Sequence, residues 1–106
     1  MIAVIFEVEP VEGERDSYLA MAGALKRELE QVDGFLSIER FQSVADPRRM
    51  LSLSFWRDET AIETWRRHPP HRQAQRRGKE ELFTHYRLRV ADVKRDYSLR
   101  DRDTGT

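Results

Sequence analysis

Residues 35–56 read FLSIERFQSVADPRRMLSLSFW. Two strand-length apolar runs, FLSIERF (35–41) and MLSLSFW (50–56), flank QSVADPRR, in which Asp46-Pro47 is a turn starter. The pair reads as an antiparallel hairpin, and the rest of the chain is read outward from it. Upstream, Ile2, Val4, Phe6 and Val8 alternate with Ala3, Ile5, Glu7 and Glu9, the period of a strand, closed by Pro10 and Gly13. A helix follows, capped by Asp16 or Ser17, with an apolar stripe of Tyr18, Met21, Ala22, Leu25, Leu29 and Val32; Gly34 supplies the left-handed residue that ends it.

Downstream, Asp58 caps a second helix that turns Ala61, Ile62 and Trp65 inward. Pro69 and Pro70 stop it, and Pro70 suits the first position of a third helix running to about Leu82. HYRLRVADVKRDY supplies a last strand over roughly 85–95. The order β-α-β-β-α-β predicts a ferredoxin-like α+β fold with a four-stranded antiparallel sheet. It places one domain over 1–97 and a polar tail, SLRDRDTGT, over 98–106 that frays unless a partner holds it.

In this topology both helical segments cover one face of the sheet. The other face carries either Ala3 and Ile5 or Phe6 and Val8, with either Leu51, Leu53 and Phe55 or Met50 and Trp56, depending on strand phase. An apolar face of that size needs a cover. A second copy, packed sheet on sheet, predicts an obligate homodimer in the form of an α/β barrel.

Composition narrows the function classes. The 19 acidic and 19 Lys/Arg residues balance, which argues against a dedicated nucleic-acid binder. Residues 1–33 hold eight acids and three bases, so the remainder is correspondingly basic, an asymmetry that favours self-association. There is no Cys, which excludes disulfides, thiolate metal sites and Cys nucleophiles and is compatible with the cytoplasm. The N-terminal apolar run is only five residues long with no basic region before it, so it reads as a strand rather than a signal or membrane segment.

The chemistry-bearing stretch is WRRHPPHRQAQRRGK (65–79). On its third-helix portion His71, Ala74, Gln75, Gly78 and Leu82 share one face, and Arg72, Arg76, Arg77 and Lys79 lie mainly on the other, a solvated one. No aromatic alternates with the cations, as a single-strand stacking platform requires. His71 and Gln75 are inward polar residues that need partners, from the backbone at the Pro-Pro corner or from a ligand. His68 and His71 straddle a helix break, which removes the one-turn spacing of a helical metal pair; His85 and Glu7 are the other candidate donors. No nucleophile elbow, phosphate loop or dinucleotide fingerprint is present.

The Gly34-Phe35 strand start, the Phe55-Trp56-Arg57-Asp58 strand-to-helix junction, the helical Trp65, and HPPH followed by Gln75 and Gly78 together resemble the antibiotic biosynthesis monooxygenase family of dimeric α/β-barrel proteins. The resemblance covers about residues 2–97. It implies oxidation of an aromatic or quinol-type small molecule by O₂ without flavin or metal, in a pocket between the helices and the sheet. In that reading Trp65 is the flat wall, His71 the general base or donor, and Gln75 the holder of a substrate oxygen. His68, with His85 or Glu7, adds polar contacts. Haem-degrading members resemble the chain at the helical Trp but use a His ten residues later and an Asn near the end of the first strand. Gln75 and Glu7 stand at those places here. A non-catalytic barrel module that binds a small ligand is the remaining alternative.

Overall fold

A computed structural model describes residues 1–100, the side chain of Lys79 excepted. The elements are β1 (Ile2–Pro10), α1 (Arg15–Glu30), β2 (Phe35–Gln42), β3 (Met50–Trp56), α2 (Glu59–Arg67), α3 (Pro69–Arg77), a π-helical turn (Gly78–Leu82) and β4 (Phe83–Asp92). The sheet order is β2-β3-β1-β4, and every pairing is antiparallel. This is the expected ferredoxin-like α+β arrangement, with the second helical segment divided in two at the proline pair.

Several boundaries differ from the sequence reading for local reasons. The α1 helix begins at Arg15, one residue before the expected caps; its N-cap is Glu14, whose carbonyl accepts from the Tyr18 N–H at 3.0 Å and whose side chain makes no capping bond. Asp16 then sits in the first turn, where a negative charge is favoured by the helix dipole. Gly34 has φ +92°, three positions after Gln31, so it turns the chain into β2 rather than capping the helix itself. Asp58 does cap α2, accepting from the Ala61 N–H at 3.0 Å. Pro69, not Pro70, takes the first position of α3, with His68 as its extended N-cap. The final strand starts at Phe83 and ends at Asp92, displaced toward the N-terminus because its ladder follows the length of β1. The tail expected at 98–106 lies mostly outside the described residues.

The register settles the strand phase. Ile2, Val4, Phe6 and Val8 face the helices, as do Met50, Ser52, Ser54 and Trp56. Ile2, Leu29, Trp56, Ala61, Ile62 and Trp65 form the main buried cluster; Val8, Tyr18 and Met50 form a second beside it. On the opposite face the register sets Ala3 beside Phe55, Ile5 beside Leu53 and Phe41 beside Leu51. The β3 strand therefore directs its Ser pair toward the helices and its Leu-Leu-Phe set away from them.

Candidate functional site

Because α1, α2 and α3 lie over a floor that carries serines as well as apolar residues, they do not close onto it completely. A cleft of about 500 Å³ remains between helices and sheet, within the range of small-molecule pockets. Val4 and Phe6 of β1, Ile38 of β2, and Leu25 and Leu29 of α1 give it apolar walls. Leu88 and Val90 of the edge strand β4 also line it yet are about half exposed, which marks that side as the mouth.

Trp65 is buried at the end of α2, because Ala61, Ile62 and Trp65 share the inward stripe of that short helix. The chain then turns through extended His68 into α3, and this turn lays both following imidazoles on the indole. His68 stacks at 5.4 Å between ring centroids with 22° between planes, and His71 lies at 4.7 Å and 31°. His71 lines the cleft, and its Nδ1 is shut off from water with no hydrogen-bond partner. Burial pushes its pKa down to about 4; the Trp65 backbone carbonyl opposes this, while His68 and Arg66 push the same way. His71 is therefore neutral at pH 7.

Of the residues singled out from sequence, Trp65, His71 and Gln75 line this one cleft, Gln75 as an exposed residue at its rim. His68 touches Trp65 from outside the cleft; its Nε2 lies 3.7 Å from Glu28 Oε1, too long for a hydrogen bond, and is buried without a partner. Glu7 and His85 are not brought to the cleft. Glu7 lies on the sheet face away from the helices and pairs with Arg89 at 3.1 Å. His85 is paired in register with Glu9 on that face and borders only a small surface hollow. Among the described residues no group of three or more His, Asp or Glu side chains stands together as a metal ligand set.

The sequence reading missed the polar end of the cleft. Arg40 and Ser52 face each other across β2 and β3, and both line the cavity. Tyr18 of α1 lies over them, its hydroxyl in contact with the Arg40 guanidinium. Burial raises the Tyr18 pKa, and Arg40 offsets only part of that, so the phenol keeps its proton. The signal was available in the alternation of FLSIERF, which places Arg40 on the same strand face as Ile38.

The fold and cleft define a small ferredoxin-like α+β domain with a ligand-sized cavity between its helices and its sheet. Residues 1–77 match the family model for antibiotic biosynthesis monooxygenase, and the chain belongs to that family. It is similar to a jasmonate monooxygenase of Pyricularia oryzae, 43% identical over 88% of this chain and 43% of that protein. It is also similar to the uncharacterized protein YqjZ of Bacillus subtilis, 37% identical over 58% of this chain and 53% of the relative. The chain thus spans about half the length of the curated relatives it matches. Among solved structures, Rv0793 of Mycobacterium tuberculosis superposes with a TM-score of 0.82 at 20% identity, covering 92% of this chain and 98% of that one. That likeness is one of fold. No helix among the described residues is long and apolar enough to cross a membrane.

Proposed function

We propose that the chain is a cofactor-independent monooxygenase acting on an electron-rich aromatic or quinol-type small molecule held in the cleft beneath α1, α2 and α3. The observation that carries the reading is the neutral, half-buried His71 laid against Trp65 inside that cavity. A neutral imidazole lining the cleft takes a proton from an acidic C–H or O–H and leaves the substrate as an enolate or phenolate. Such an anion passes one electron to O₂, and the radical pair combines to form a C–O bond. Loss of water from the resulting hydroperoxide leaves one oxygen atom in the product: a CH₂ and O₂ become C=O and H₂O. Trp65 supplies the flat wall that holds the ring, and Gln75 at the rim meets a substrate oxygen. His68 positions Trp65 by stacking on it.

The family membership and the jasmonate monooxygenase relative support oxygen insertion, and the relative's substrate makes jasmonate the first compound to assay beside anthrone and naphthoquinols. The test is oxygen uptake with each compound, repeated after chelator treatment. Uptake that survives chelation and is lost in His71→Ala supports the mechanism; sensitivity to chelators or an unaffected variant refutes it. A Soret titration with haem tests the haem reading, for which Gln75 stands where those relatives have their His.

The working unit in this proposal is a cytoplasmic homodimer. Ile5, Leu51, Leu53, Phe55 and Phe41 form an apolar strip on the sheet face that the helices leave uncovered, and a second copy packed sheet on sheet covers it.

A further inference from the structure

The cleft is lined by two cations that differ in their circumstances. Arg66, at the α2 rim, is engaged by Glu63 at 3.7 Å. Arg40, on the sheet floor, has no such partner: no carboxylate among the described residues forms an ion pair with it, and its Nε is buried without a hydrogen bond. The group the fold does set beside it is the Tyr18 hydroxyl, and Ser52, its register partner on β3, lines the same part of the cleft. Arg40 is part-buried, so a guanidinium lining the cleft without a carboxylate of its own is free to take a counter-charge from a ligand. Hydroxyls do not cancel the charge, and each retains a hydrogen to donate.

We infer that Arg40, with the Tyr18 and Ser52 hydroxyls, is an anion-binding end of the cleft, and that the aromatic or quinol-type substrate proposed above also carries a carboxylate, which docks there. The inference rests on the cleft being the substrate site and names the class of molecule it takes. A carboxylate accepts two parallel N–H bonds from a guanidinium fork and has lone pairs left for two hydroxyls. The apolar remainder of the molecule then lies against Phe6, Leu25 and Ile38, in the same cleft that Trp65 and His71 line. The donors select against neutral analogues, because an uncharged ligand leaves the Arg40 charge uncompensated.

The experiment is calorimetric titration of the full chain with 1-naphthylacetate and with its neutral isostere 1-naphthylacetamide, neither of which needs to be turned over. The acid is expected to bind at least about tenfold more tightly, the order of one charge-assisted hydrogen bond. Arg40→Met, which keeps an apolar stem of similar length, should remove that preference by weakening the acid alone. Arg40→Lys should keep part of it. Equal affinities in the unaltered protein overturn the inference, as does a folded Arg40→Met that still prefers the acid. Should Arg40→Met fail to fold by circular dichroism, the unaltered protein and Arg40→Lys decide the matter. Oxygen uptake is scored separately. Acid preference without uptake on any substrate refutes the oxygenase reading alone, whereas uptake on neutral quinols without acid preference refutes the anion site alone.

Discussion

His71 and Trp65 are in face contact, ring centroids 4.7 Å apart, although a helix break at Pro69-Pro70 separates them in the chain. The break brings them together, because extended His68 folds α3 back so that its first turn meets the last turn of α2. General base catalysis of the kind proposed contributes roughly 10²–10⁴-fold. His71→Ala should therefore lower the rate of oxygen uptake by about 100-fold or more, while the far-ultraviolet circular dichroism stays that of the parent. An oxygen electrode and a spectropolarimeter suffice to check it.

The depressed His71 pKa also makes a pH prediction. An unfolded chain protonates this residue near its ordinary value of 6.5, whereas the folded protein resists protonation down to about 4. Between those values the unfolded state binds the extra proton, so stability falls as pH drops from about 6.5 to about 4. Thermal melts over that window should show the loss, and His71→Gln should show less of it. By the same shift, the acidic limb of kcat/KM should lie near pH 4 rather than near 6.5, provided no other group limits the rate.

Asp58 closes the N-terminus of α2 through its bond to the Ala61 N–H, and α2 carries Trp65. Asp58→Ala should cost about 0.5–2 kcal/mol of stability, the usual worth of a lost cap. Oxygen uptake should fall as well, since α2 carries the Trp65 indole that walls the cleft. Urea denaturation gives the first quantity, and oxygen uptake gives the second.

Gly34 faces two obstacles to any side chain. Its φ of +92° disfavours L residues, and an added Cβ would lie 2.8 Å from the Ala61 Cβ. Gly34→Ala should destabilise the fold by more than the ~1–2 kcal/mol cost of a left-handed residue, because the β2–α2 contact must also open. A shift of the urea midpoint with an unchanged slope is the expected result.

Leu53 stands at the centre of the apolar strip, between Ile5 and Glu39 in register. If two copies cover that strip, Leu53→Glu should convert a dimer into a monomer in sedimentation velocity at micromolar concentration. A parent protein that already sediments as a monomer removes the proposal.

The hairpin, the order of elements, the Asp58 cap and the inward Trp65 were all legible in the sequence, because each depends on neighbours within a few residues. Strand phase was not. By composition alone Leu51, Leu53 and Phe55 are the natural core residues of β3, and Ser52 and Ser54 the natural outer ones. The fold reverses this: β3 sits in the middle of the sheet, where Met50 and Trp56, in phase with the serines, fill the space under the helices. The serines become the floor of a cleft, and Ser54 accepts the Trp56 indole N–H at 2.9 Å.

The site divides along the same line. Trp65, His71 and Gln75 could be grouped from sequence because helical period and a proline corner place them locally. Glu7 and His85 were grouped with them only by residue type, and the pleat turns both to the far face. Arg40, Ser52 and Tyr18 come from three elements, and only the β2–β3 register and the seating of α1 bring them together. Sequence by itself determined which segments are helices and strands and which residues a single helix presents on one side. The tertiary structure decided which face of the sheet became a cavity and which charge lies inside it, since strand phase depends on long-range packing that no local period encodes.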